Sequence, residues 1–278
     1  MHSKKRLLNI LIYGLPVLFL SACAQLSTVH YSKEVDRQGL QRHIIQANAF
    51  PLVYYSRPDD KKTDTLHVYI GGDGIPWQNK IFKSEDPGPY HPLVLQLMKQ
   101  DRQTSIYLGR PCYQGLAKLP PCQPKYWTSS RFSHEVVDSM AAALKQLQAQ
   151  YQYKKLALFG YSGGGALAVL LAHQLPRTEL VVTIAGNLDT EAWTAFHYYS
   201  PMDKSINPAR QAALPVSVRQ IHLQGDRDIN IPPQLSARYI KKQHDVTVLN
   251  FAAADHTCCW HLYWPEFLSV IKNATTNE

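Results

Sequence analysis

The stretch LALFGYSGGGALAVLLA, Leu156 to Ala172, constrains the fold more than any other. An apolar run rich in strand formers meets an apolar run with no polar face, and only GYSGG, Gly160 to Gly164, lies between them. A strand that turns so abruptly into a helix buried on all sides belongs inside a sheet covered on both faces. The glycines have a steric reason, because a sharp strand-to-helix turn brings backbone against backbone where a Cβ would collide. Ser162 at the centre has two readings. It is either a nucleophile raised on a strained elbow, or the polar member of a glycine-rich corner.

The rest of the chain repeats the strand–helix pattern. PLVYYSR (51–57), TLHVYIGG (65–72), TSIYLGR (104–110), KKLALFG (154–160), ELVVTIAG (179–186), VRQIHLQG (218–225) and DVTVLNFAA (245–253) read as strands. Several are continuously apolar, as expected of parallel strands buried on both faces. Between them, Val136, Val137, Met140, Ala141, Leu144 and Leu147 share one face of a predicted helix that Ser133 would cap. Residues 166–174, 232–243 and 262–272 complete the predicted helices. The expected fold is one α/β domain with a mostly parallel sheet and helices on both faces.

This setting favours the G-x-S-x-G nucleophile elbow, which needs a base and an acid further along the chain, in the order serine, acid, histidine. After the strand 218–225 comes GDRDINIPP, with Asp226 and Asp228 at a strand end where ligand chemistry collects. The string G-x-x-D-x-x-I-P resembles the acid turn of α/β-hydrolases, and that resemblance implies Asp228; Asp226 is the solvent-facing or loop-bracing partner, and Asp189, past an earlier strand, is the alternative acid. After the last strand, ADHTCCW offers His256 as the base, whereas His222, His244 and His261 sit in or beside regular elements. The backbone amide of Gly163 would face a developing oxyanion, helped by the helix N-terminus. A second amide is expected from GGDG (71–74), and resemblance to the H-G loops of hydrolases implies that of Asp73 first and Gly74 second. A carboxylate at Asp73 would repel an oxyanion, so its side chain is expected to point away.

The two ends carry other information. Lys4, Lys5 and Arg6 precede a 14-residue apolar run, Leu7 to Leu20, and then LSAC ends in Cys23. The run is short of the ~20 residues that span a bilayer but suits a signal peptide. LSAC resembles a bacterial lipobox, which implies cleavage before Cys23, acyl groups on that residue and a tether through 23–49 into a domain at 50–278. Ala24 after the cysteine resembles the pattern directed to the outer membrane, facing the periplasm, in a Gram-negative source. Removing the leader lowers the net charge from +8 to +5. With no basic cluster longer than two or three residues, nucleic acid is not an expected partner.

Export permits disulfides. Cys112–Cys122 across RPCYQGLAKLPPC is the preferred pairing, leaving Cys258 and Cys259 as a vicinal bridge or two free thiols. His256, Cys258, Cys259 and His261 lack the usual paired spacing of zinc ligands, and the sequence implies no metal and no cofactor. The aromatic residues Trp193, Phe196, Tyr198 and Tyr199, within 187–217, would line a lid or belong to an ordinary packed connection.

Taken together, these elements resemble the α/β-hydrolase superfamily over roughly residues 50–273. More narrowly, IGGDGIPW, YLGRPC, WTSSRFS, GYSGGGALA, TIAGNLD, INPAR and DHTCCW resemble a family of bacterial α/β-hydrolase-fold lipoproteins. The resemblance implies an envelope serine hydrolase using Ser162, Asp228 and His256 on a small-molecule or lipid ester. Acyl transfer or amide cleavage would use the same residues, and a binding or structural lipoprotein would keep the fold without the chemistry.

Overall fold

In the computed structural model, residues 31–58, 63–89 and 92–275 are described. The expected leader and Cys23 lie outside the described residues. Ten strands form: β1 (Gln41–Ala47), β2 (Phe50–Ser56), β3 (Thr65–Ile70), β4 (Trp77–Gln78), β5 (Phe82–Lys83), β6 (Ser105–Leu108), β7 (Lys155–Tyr161), β8 (Thr178–Ile184), β9 (Arg219–Gly225) and β10 (Val246–Phe251). The helices are α1 (31–37), α2 (Leu93–Gln100), α3 (His134–Tyr151), α4 (Gly163–Ala172), α5 (Thr190–Phe196), α6 (Ala237–Ile240) and α7 (Trp260–Thr275).

Eight strands make one sheet in the order β1-β2-β6-β3-β7-β8-β9-β10, and β4 and β5 make a separate hairpin. From β6 to β10 all pairings are parallel, while β1–β2 and β2–β6 are antiparallel. Period-2 alternation sorts the side chains into two cores. Leu66, Val68, Ile70, Leu156 and Leu158 face α3 and α4. Tyr69, Ala157, Phe159, Val182 and Leu223 face α2 and α7. Both faces are therefore covered, which is why β3 and β7 read as nearly unbroken apolar runs. Helix α4 is buried along its whole length, as a helix with no polar face must be. Among the described residues no helix is long and apolar enough to cross a membrane.

Two expectations need correction, and one left open is decided. Residues 31–49, read as tether, belong to the fold from Tyr31 onward. Tyr31, Val35 and Leu40 are buried, and β1 pairs with β2 across a two-residue turn in which Asn48 has φ 49°. The strand QRHIIQA escaped notice because an edge strand is mostly solvent-facing and needs few apolar residues. The helix expected at 232–243 is a 3-10 turn (Pro233–Ser236) followed by the single turn of α6. Residues 187–217 hold only α5 and a 3-10 turn at Pro208–Arg210. Thr190, Asn207, Ala209 and Leu214 are buried, so this is mainly a packed connection with an exposed aromatic tip.

Candidate active site

The elbow forms where β7 ends and α4 begins. Ser162 has φ 54° and ψ −122°, a backbone conformation that costs a non-glycine residue about 1–3 kcal/mol and persists only where surroundings enforce it. Three hydrogen bonds do so: Ser162 N donates to Ile184 O (2.9 Å), and Ser162 O accepts from Gly165 N (2.9 Å) and Asn187 N (3.0 Å). Gly164 passes so close to β3 that a Cβ there would overlap the Ile70 and Gly71 carbonyls.

His256 and Asp228 meet this serine. His256 Nε2 lies 3.1 Å from Ser162 Oγ, and His256 Nδ1 lies 2.8 Å from Asp228 Oδ2. A carboxylate can only accept, so Nδ1 carries the proton and Nε2 is left to accept from the hydroxyl. The other oxygen of Asp228 accepts from Asn230 N (2.8 Å) and Ile231 N (2.7 Å), which fixes the carboxylate in the turn after β9. Asp228 is almost fully buried. The histidine loop is held equally firmly, because His256 O accepts from both Tyr161 Oη (2.9 Å) and Trp260 Nε1 (3.1 Å). Asp255 Oδ1 accepts from Thr257 N and Cys258 N; those backbone bonds hold its carboxyl below the usual range.

The alternative acids lie elsewhere. Asp189 caps α5 through Ala192 N (3.1 Å) and binds Asn207 (2.9 Å) and Arg238 (2.5 Å). Asp226 is exposed beside the turn. His222 is buried in β9 with Nδ1 2.7 Å from Thr183 Oγ1, and burial pushes its pKa down to about 3.

The loop after β3 covers Ser162. A Cβ on Gly72 would stand 3.1 Å from Ser162 Cβ, and one on Gly163 would overlap the Asp73 carboxylate. Asp73 therefore does not point away: its carboxylate lies against the first residue of α4. The expected repulsion is met by two buried arginines that the sequence reading passed over. Arg110 Nη1 donates to Asp73 Oδ1 (2.5 Å) and Arg131 Nη1 to Oδ2 (2.7 Å). Burial alone would raise the Asp73 pKa, but Arg131 and Arg110 outweigh it and hold the carboxyl below the ordinary range. Tyr113 Oη also donates to Asp73 O (3.0 Å), so side chain and backbone of this residue are both tied. Gly74 has φ 62°, a left-handed conformation suited to glycine.

These groups open onto a cleft of about 1060 Å³. Ser162, His256, Asp73, Arg131, Trp77 and Trp193 are among the residues that line it. Ile75, Leu93, Val94 and Met202 make much of the lining apolar, as in sites that accept hydrocarbon groups. Cys112 pairs with Cys122, and Cys258 with Cys259. The vicinal bridge takes up two of the four residues weighed as metal ligands, and His256 is already held between Ser162 and Asp228. Among the described residues no group of three or more His, Cys, Asp or Glu is arranged to hold a metal.

Three solved structures illustrate the likeness of fold. An alpha-beta serine hydrolase homologue from Coxiella burnetii has TM-score 0.54 and 14% identity, covering 84% of this chain and 96% of that one. A serine hydrolase without lid from Xanthomonas campestris has TM-score 0.53 and 14% identity, covering 86% of this chain and 94% of that one. A membrane phospholipase A, described as a bacterial virulence factor, has TM-score 0.57 and 14% identity, covering 98% of this chain and 96% of that one. No functionally curated protein matches the chain. A model of the dienelactone hydrolase family matches residues 113–259, a span that holds Ser162, Asp228 and His256. That span is more than half of the chain, which therefore belongs to the dienelactone hydrolase family, with the α/β-hydrolase fold.

Proposed function

We propose that the protein is a serine hydrolase of carboxylic esters, held at a bacterial envelope membrane by acyl groups on Cys23. The observation that carries the hydrolytic part is the chain of contacts from Asp228 through His256 to Ser162, at 2.8 and 3.1 Å. Ser162 Oγ attacks the ester carbonyl while His256 Nε2 takes its proton. Asp228 keeps the proton on Nδ1 and stabilises the imidazolium that forms. The tetrahedral oxyanion is held by the Gly163 amide, one of the first-turn amides of α4 that a helix leaves without an internal partner. The Asp73 amide, or that of Gly74, supplies the second donor, and Arg110 and Arg131 keep the neighbouring carboxylate from opposing it.

Collapse of the intermediate expels the alcohol, which receives the proton from His256. Water then attacks the acyl-enzyme with His256 as base and releases the acid. The apolar walls suit an ester with a hydrocarbon acyl or alcohol part. The anchor reading rests on the basic start, the short apolar run and LSAC at residues 4–23.

The test is turnover of p-nitrophenyl esters of graded acyl length by the purified protein and by Ser162→Ala. Hydrolysis that Ser162→Ala abolishes supports the reading. Folded wild-type protein that turns over none of these esters contradicts it.

A further inference from the structure

The mouth of the cleft carries apolar side chains that the reaction at Ser162 does not use. The hairpin β4–β5 stands apart from the main sheet and turns at Asn79 and Lys80, both with positive φ. It presents Ile81 (71% exposed), Phe82 (66%) and Trp77 (39%) to solvent. Across the same cleft, Tyr198 is 97% exposed, with Phe196 and Tyr199 beside it. Ile229, 83% exposed, lies in the turn that holds Asp228. Trp77, Lys80, Lys83, Tyr199 and Asn230 line one cleft, so these three loops form its rim. Scattered exposed apolar residues need no explanation; several of them on the three segments that line one opening do.

We infer that this rim docks on the surface of an anionic lipid bilayer, so that the ester reaching Ser162 is carried by a membrane lipid. Charge favours that occupant. The hairpin stretch Gly74–Ser84 holds Lys80 and Lys83 and no acid, and the nearby Glu85 pairs with Lys118. Of the charged groups lining the cleft, Lys80, Lys83 and Arg131 face the single carboxylate of Asp73. Apolar and aromatic tips with lysines behind them suit a bilayer interface, where rings and alkyl stems bury and ammonium groups meet headgroup phosphates. A second copy of the chain fits less well, because a two-fold contact through this rim would set the same lysines against each other.

The point of chain entry agrees. Tyr31 packs against Tyr55 and Tyr107 with ring centroids 6.0 and 5.9 Å away, and it also lines the cleft. Seven residues separate it from Cys23, eight chain steps with a reach of at most about 28 Å. An anchor at Cys23 would therefore keep this face toward the membrane. The choice of substrate rests on the hydrolase reading; docking itself stands on the rim alone.

The test uses the full-length protein with phosphatidylcholine–phosphatidylglycerol vesicles whose acyl chains carry bromine, a contact quencher of tryptophan. Trp127, Trp260 and Trp264 are at most 2% exposed, so the reporters at the rim are Trp77 on the exposed hairpin and the half-buried Trp193. Docking predicts quenching that Trp77→Phe reduces and that Ile81→Asp/Phe82→Asp abolishes. The same double variant should turn over a vesicle-borne phospholipid ester roughly tenfold more slowly, yet hydrolyse a soluble short-chain ester at the wild-type rate. Quenching without any esterase activity would sink the hydrolase reading and leave docking intact. No quenching of wild-type protein would overturn the proposal, as would equal losses on both substrates. A dimer that Ile81→Asp/Phe82→Asp dissociates, without quenching, would assign the rim to a second copy and overturn it too.

Discussion

Replacing Arg131 by methionine tests why a carboxylate can sit beside the proposed oxyanion site. Methionine keeps much of the stem and removes one of the two cations on Asp73, leaving Arg110 at 2.5 Å. At a separation on the order of 5 Å and an effective dielectric of about 20, a fully uncompensated carboxylate would oppose an oxyanion by roughly 3 kcal/mol. That corresponds to about 10²-fold in rate. Because Arg110 stays, kcat should fall by roughly 10- to 100-fold, with KM for a neutral ester little changed. Adding Asp73→Asn removes the stranded charge and should restore most of the lost kcat. The cycle is read from ester kinetics of the wild type, both single variants and the double variant, each checked for folding by circular dichroism and Tm. Losing one partner of a buried ion pair costs about 3–5 kcal/mol, so a lower Tm is expected for Arg131→Met and does not decide the matter. What decides is the coupling: if the two substitutions lower kcat additively, the proposed shielding is wrong.

Other consequences are direct. Asp228→Asn should lower kcat by roughly 10³- to 10⁴-fold through loss of the correct His256 tautomer, whereas Asp189→Asn should leave kcat within a few-fold; steady-state kinetics compares them. His222 is neutral in the fold with a pKa near 3, so stability is full above the unfolded value of about 6.5 and falls as pH drops toward 3. Urea unfolding across that window should show a slope up to about 1.4 kcal/mol per pH unit steeper than in His222→Gln. Trp264 is fully buried against Phe159 and Phe267, with centroids at 5.9 and 5.0 Å. Trp264→Ala should cost about 3–5 kcal/mol in chemical denaturation.

The central architecture was readable because its strands are buried on both faces and so carry unbroken apolar signals. β7 and β8 fall within a residue or two of their expected ends. Ser162, Asp228 and His256, which the structure brings within hydrogen-bond reach of one another, could be picked out because each follows a strand in chain order. Elements whose stability is tertiary left weaker traces. β1 is a half-solvated edge, β4 and β5 have two residues each, and α2 follows a proline without a side-chain cap. Arg110 and Arg131 looked like ordinary basic residues at an element boundary. A clue did exist: a carboxylate in the loop over Ser162 demands cations, and Arg110 stands just past the end of the neighbouring strand β6. Tyr161 was hidden as the variable residue of G-x-S-x-G, although its hydroxyl holds the His256 loop.

The most direct test is to map the adduct of a fluorophosphonate by peptide mass spectrometry. The account predicts one phosphonylated residue, Ser162, with labelling abolished by Ser162→Ala and slowed by orders of magnitude in His256→Ala. Folded protein that takes up no label, or takes it up at another serine with Ser162 untouched, would contradict the account.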